Sequence, residues 1–459
     1  LSISGSAPLH ELGRGAMQEI EQVEMAKPVT KAAWMVTDPR RIPHMIAQAL
    51  RFSYSERRGP VHLTIPIDIQ QQTVDEDEVT YFYPSEYRPA TSIHASQEQL
   101  EMVIKILWSA ERPMVVAGTA AAYGGSGKEI EEFIETTKLP IMTESNARGL
   151  VPDDHPNCIG FYDNGLNNSA RKLREADVIL LLGMKQDIII GYALPPTVSL
   201  GTKVLQVDPS QAEIGRNRGV AVGILGDVAT VVGQLSTIAK SYKWTETSWV
   251  QELRQVRSEQ LKELEDLAVP EHPMHAIYVH KILKQYLHVD DFLTFEGGDF
   301  CHFGRAYLPA NSPRSWHYFS ALGMLGAGLS TAIAAKLAYP NRKAISLTGD
   351  GSFGFNGMEF DTAVRHGINV VSILGNDAAW GIDRQIQLKV YGKPVATDLL
   401  PTRYDKVVGG LGGYGEHVDN PAELGAAIKR AFEAGKPALL NVDIQRAISP
   451  RAEAAISRW

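Results

Sequence analysis

Residues 343–381, KAISLTGDGSFGFNGMEFDTAVRHGINVVSILGNDAAWG, leave this chain few folds to choose from. Two short apolar runs, 344–347 and 370–374, flank a segment with helical spacing at 353–365. That pattern predicts a strand–helix–strand crossover, the connection that joins parallel strands. Asp350 follows the first strand and Asn376 the second, so both are expected at the carboxyl edge of an open sheet, where such sheets take ligands. Asp350 offers a hard anionic oxygen and Asn376 a neutral one. Mg²⁺ takes a few such oxygens and completes its shell with phosphate and water. Gly349 and Gly351 permit a sharp turn beside it, and the amides near Ser352 and Phe353 open the next helix, where a phosphate fits. The pattern reads as a magnesium–diphosphate clamp. On the tripeptide alone, an ordinary Gly-Asp-Gly turn in a βαβ unit is the plainer alternative.

At 459 residues the chain suggests two or three domains with ample core. Its 44% hydrophobic and 21% charged content is that of a soluble globular protein. A net charge of −8, without a basic run, argues against a nucleic-acid partner. Cys158 and Cys301 are too few for a disulfide framework or a zinc site and read as ordinary thiols in a reducing compartment, the cytoplasm. No apolar run reaches membrane-spanning length, and no signal peptide is visible. The chain opens at Leu1, and LSISGSAPL reads as the interior of a domain.

Taken in order, residues 1–75 carry a predicted helix at 43–52 and a strand at 61–65, and 76–95 read as an acidic, aromatic linker. Residues 96–240 alternate strand and helix signals, with strands expected at 113–118, 178–183 and 203–208. The glycines before Lys128 fail the P-loop test, because Ala122 and Glu129 stand where that motif needs Gly and Ser or Thr. Residues 241–272 form a charged connecting helix, and 273–459 return to strand, loop and helix.

The twenty-four residues between Gly351 and Asn376 resemble the signature of thiamine diphosphate enzymes, in which GDG is followed by a pair of asparagines. Asp377 replaces the second of that pair. GAMQEIEQVEMAKPVTK (15–31) and RRGPVHLTIPIDI (57–69) resemble the acetolactate synthases, and VDPSQAEIGRNRGVAVGILGD (207–227) resembles the central domain of the same superfamily, shared with oxalyl-CoA decarboxylases and 2-hydroxyacyl-CoA lyases. The resemblance implies an α/β fold of three doubly wound parallel-sheet domains. It makes the first incomplete at its N-terminus, lacking roughly a hundred residues that would include the activating glutamate. No catalytic residue is assigned here for that reason. It implies thiamine diphosphate with Mg²⁺ held by Asp350, Asn376 and the Ala378 carbonyl. Gly298, Gly323, Gly349, Gly351, Ser352 and Phe353 would surround the cofactor, together with Ile382, and Leu325 would prop it in a bent form. The central domain would take FAD or ADP, with Arg216 and Arg218 as candidates for its phosphates.

The leading expectation for function is a 2-hydroxyacyl-CoA lyase or synthase acting on formyl-CoA and a carbonyl compound. It rests on Ile386 at the position where acetolactate synthases carry a tryptophan, on the EGGDF loop (296–300), and on a basic tail with Arg446, Arg451 and Arg458. An acetolactate synthase catalytic subunit is the alternative, and a non-catalytic cofactor-binding homologue a third. The resemblance also implies a homodimer or homotetramer. His302, His317 and His366 are weaker candidates for acid–base groups, with packing or helix capping as the plainer explanation.

Overall fold

The computed structural model describes residues 1–88, 92–319 and 321–456. Fifteen strands form three wholly parallel sheets among these residues. One compact unit is Leu1–His94 with Pro209–Gln211 and Leu225–Asp227. Its sheet comprises β1 (Ser2–Ser6), β2 (Ala32–Met35) and β3 (Val61–Pro66) in the order β1-β3-β2. Every residue of β3 is buried, and the helix Ile42–Tyr54 lays Met45 and Ala49 against Val61, Leu63 and Ile65. The acidic segment after it is mostly irregular, broken by a turn at Glu76–Glu78 and a short helix at Pro84–Tyr87. Its residues 89–91 lie outside the described residues, as does Arg458 of the tail.

The second unit holds two six-stranded sheets. The first contains β4 (Pro113–Ala117), β5 (Ile141–Thr143), β6 (Cys158–Phe161), β7 (Val178–Leu182), β8 (Lys203–Asp208) and β9 (Val222–Leu225). Their order is β6-β5-β4-β7-β8-β9. The second contains β10 (Phe292–Glu296), β11 (Trp316–Tyr318), β12 (Ala344–Gly349), β13 (Val371–Asn376), β14 (Tyr414–Val418) and β15 (Ala438–Asp443). Its order is β11-β10-β12-β13-β15-β14. Helices cover both faces, so the central strands (VILLL, AISLTG, ALLNVD) are buried along nearly their whole length rather than on alternate residues. We keep 96–240, 241–272 and 273–459 as proposed divisions of this unit, since each sheet closes within one of them.

Two elements differ from expectation. The helix predicted over 353–365 is two, Asp350–Asn356 and Glu359–Arg365. Phe353 folds its ring onto Gly357, where a Cβ would lie 2.5 Å from the ring, and packs at the break with Phe360 and Tyr404. The connecting helix is Ser248–Asp266, shorter than the charged segment that suggested it.

His280 locks the helix Ala276–Lys284 to the rest of the core. It is fully buried, its Nε2 donates to the Phe300 carbonyl at 2.8 Å, and its Nδ1 has no partner. Burial pushes the imidazole down to about 4. The unfolded chain therefore binds a proton near pH 6.5 that the folded chain resists, so stability is lost as pH falls from there toward 4. Between pH 7 and pH 5 the wild type is expected to lose about 2 kcal/mol more than His280→Gln, read from urea unfolding of both at the two pH values.

Candidate cofactor site

The chain reverses direction between β10 and β12: β10 leads to β11 on one side, and β12, β13 and β15 build out on the other. Ligands of open parallel sheets bind at the carboxyl ends of such a crevice. A cavity of about 240 Å³ lies there. Three helices begin at its wall, Asp299–Tyr307, Asp350–Asn356 and Gly381–Tyr391. Their N-terminal amides and dipoles turn one side of the cavity toward negative charge.

Carboxylates stand at those same ends, since Asp299 and Asp350 are the first residues of two of these helices. Asp350 is 2% exposed, and its Oδ2 accepts the Ala379 amide at 3.2 Å. Burial raises it to about 6, against the pull of the amide hydrogen bonds. Asp377 is raised to about 7, first by burial and then by the charge of Asp350, while Arg446 pulls it back. Asp299 is raised by burial as well, and its Oδ1 accepts the Ser449 amide at 2.8 Å. Gly381 separates Asp299 from Asp377. A Cβ there would lie 3.1 and 3.2 Å from their Oδ2 atoms. The buried Asp350 raises the half-buried Asp377 beside it, and a cation between the two would relieve that repulsion. Among the described residues, no three His, Cys, Asp and Glu side chains group as a metal cluster. A hard cation here would take two carboxylates and complete its shell from the main chain, phosphate and water.

Of the residues expected from sequence, Asp350, Gly298, Leu325, Gly349, Gly351, Ser352 and Ile382 line this cavity. Gly351 faces Trp380, where a Cβ would come 3.0 Å from the indole, so only glycine leaves the space open. Asn376, Ala378, Phe353 and Gly323 do not line it. Asn376 donates to the Thr402 carbonyl at 3.0 Å and to Asn441 Oδ1 at 3.1 Å, and accepts from the Ala378 amide at 3.2 Å. The Ala378 carbonyl takes two donors, Leu399 N and Arg446 Nη2, each at 2.8 Å. In their place the structure puts Asp377 and Ala379 on the wall.

Sequence reasoning missed Asp299, Asp377 as a wall residue, and Glu296. Glu296 is buried at the end of β10, and its carboxylate accepts the amides of Gly326 and Gly328. That grip fixes the loop bearing Leu325. Burial raises Glu296, opposed by those two amides. The only signal was an acidic residue closing a strand before two glycines.

The remaining candidates are held elsewhere. His302 is buried, and its Nδ1 accepts from Arg305 Nη1 at 3.2 Å; Arg305 in turn pairs with Asp163 at 2.9 Å. His317 packs edge-on against Phe319, and His366 caps the helix Glu359–Arg365. In the central sheet, Arg218 donates to the carbonyls of Ala193, Ser199, Leu200 and Thr202 at 2.6–3.0 Å, so it knits a loop. Arg216 pairs with Glu213 at 3.2 Å.

Comparison with known proteins identifies the family. Residues 296–442 match the family described as thiamine pyrophosphate enzyme, C-terminal TPP binding domain, and 100–235 match its central domain. The chain is 33% identical to an acetolactate synthase large subunit of Mycobacterium tuberculosis, over 96% of this chain and 78% of that protein. It is 31% identical to a 2-hydroxyacyl-CoA lyase of Oryza sativa, over 97% and 79%. It is 28% identical to an oxalyl-CoA decarboxylase of Escherichia coli, again over 97% and 79%.

Proposed function

The chain belongs to the thiamine diphosphate enzyme family that includes acetolactate synthase, 2-hydroxyacyl-CoA lyase and oxalyl-CoA decarboxylase, and from that premise we propose that its β10–β12 cavity holds the cofactor's diphosphate and Mg²⁺. The observation that carries this is the meeting of three helix starts with the buried Asp350 and the half-buried Asp377. Asp350 and Asp377 would ligate the cation, with the Ala379 carbonyl as the main-chain contribution; among the described residues that carbonyl accepts no backbone hydrogen bond. Asn376 would act one step back, fixing the turn. The amides of Gly351, Ser352 and Ile382 would meet phosphate oxygens. Leu325, Trp380 and Phe300 supply an apolar wall that limits water. When bound, thiamine diphosphate supplies the electron sink that lets a carbon–carbon bond beside a carbonyl break or form.

For the reaction we propose a 2-hydroxyacyl-CoA lyase or synthase. Ile386, on the helix Gly381–Tyr391, supports it by standing where an acetolactate synthase tryptophan is expected. One observation favours the acetolactate synthase alternative. Arg446 and Arg451, though partly exposed, are engaged by the carbonyls of Asp377 and Ala378 and by Asp163 instead of being left for CoA phosphates. The relatives named above are enzymes, which weighs against a non-catalytic homologue. An ADP or FAD site at the carboxyl edge of the central sheet, a homodimer or homotetramer, and a cytoplasmic location complete the proposal. Among the described residues no helix is long and apolar enough to cross a membrane.

The test is a product assay with thiamine diphosphate and Mg²⁺, using pyruvate alone in one reaction and formyl-CoA with a simple aldehyde in another. A 2-hydroxyacyl-CoA without acetolactate is the expected outcome. Acetolactate from pyruvate would establish the alternative.

A further inference from the structure

The turn after β13 decides where Asp377 points, and two groups outside the cavity hold that turn. Ala378 has φ +52°, a left-handed conformation that alanine keeps only when its surroundings enforce it. On one side runs the segment around Asp398: Trp380 N donates to Thr397 O, and Leu399 N donates to Ala378 O, both at 2.8 Å. On the other side is Arg446. Its Nε donates to the Asp377 carbonyl and its Nη2 to the Ala378 carbonyl, each at 2.8 Å. Its Nη1 donates to Asp398 Oδ1 at 3.0 Å, which also accepts Arg384 Nε at 2.9 Å. One planar guanidinium thus reads two successive carbonyls that face the same way, as the left-handed residue makes them do. The Ala379 amide is then free to reach Asp350, and the Asp377 side chain enters the cavity.

We propose that Arg446 is the positioning residue of the cation site: its fork on the 377–378 carbonyls sets the turn that places Asp377 opposite Asp350. This rests on the magnesium reading above. Arg446 itself does not line the cavity, whereas its neighbours Gln445 and Ala447 do. It acts through the backbone and touches no reacting atom. The role also gives the segment after β15 a task distinct from covering the site. Lysine cannot replace it, because an ammonium lacks the fixed pair of donors that spans two carbonyls.

The test uses Mn²⁺ in place of Mg²⁺, with free Mn²⁺ read by electron paramagnetic resonance in the presence of saturating thiamine diphosphate. Arg446→Gln and Arg446→Lys are expected to weaken Mn²⁺ binding by about 10- to 100-fold, the range for groups that orient a ligand. Thermal unfolding in EDTA is expected to stay at the wild-type midpoint, a result a merely structural role would not give. Binding within about twofold of wild type in both variants would overturn the role of Arg446 and leave the cation site standing. A wild-type chain that binds no Mn²⁺ would instead overturn the cation site on which the role depends.

Discussion

Asp350→Asn is expected to do two opposite things. Turnover with thiamine diphosphate and Mg²⁺ falls by more than about 100-fold, beyond the usual effect of groups that only orient a ligand, because a direct oxygen ligand loses its charge. The metal-free protein becomes more stable. The folded state raises this carboxyl to about 6 from an ordinary 3.8, so its ionised form is the disfavoured one. Its contribution to stability is intact below pH 3.8 and is lost as pH rises through 6. The neutral amide escapes that loss while still accepting the Ala379 amide. At pH 8 without metal, the variant should gain up to about 3 kcal/mol over wild type, shrinking toward zero near pH 4. Urea unfolding in EDTA across that range, beside steady-state assays, reads both effects. A variant that loses activity and also stability at pH 8 would point to a structural aspartate.

The largest loss of stability is expected from Asp163→Ala. Asp163 bonds Arg305 at 2.9 Å, Arg451 at 2.7 Å and the Gly165 amide at 2.9 Å. Burial works to raise its carboxyl, but the two arginines and that amide outweigh burial and hold it below the ordinary range. Arg305 is 1% exposed and lies 3.6 Å over the Tyr318 ring. Stripping its carboxylate leaves a cation in the interior, a change that costs about 3–5 kcal/mol. Arg451 sits on the helix Pro450–Ile456 and is far more exposed, so Arg451→Met should cost under about 1 kcal/mol. Urea midpoints of the two variants separate these outcomes. Similar losses in both would mean that the pair with Arg451, and not the buried one, accounts for the loss.

Much of this architecture was legible in the sequence. Strands such as 203–208 and 344–347 declared themselves because buried parallel strands are short, mostly apolar runs with turn residues after them. Gly349-Asp350-Gly351 marked the site because a strand end, an acid and two glycines coincide there. What spacing could not give was direction within the turn after β13. Asn376 still pairs in register with Asp443 of β15, so its side chain belongs to the sheet and finds Asn441. Only the left-handed Ala378 sends Asp377 into the cavity, and nothing in NDAAWG announces a positive φ at an alanine. Glu296 and Asp299 were missed for a related reason, and Arg446 was read only as part of a basic tail. Each acts on a segment at least thirty residues away, at Gly326, Ser449 and Asp377, and such pairings appear only once the sheet is assembled. Arg446 and Arg451 were read as a basic tail, and their partners, two main-chain carbonyls and a buried aspartate, are ones composition does not reveal.

The most direct measurement is a calorimetric titration of the full-length protein with thiamine diphosphate, run with Mg²⁺ and again in EDTA. Binding that is strong with Mg²⁺ and lost in EDTA is expected, since the diphosphate would otherwise meet Asp350 and Asp377 uncompensated. Equal binding without metal, or none with it, would contradict a cation between these two carboxylates.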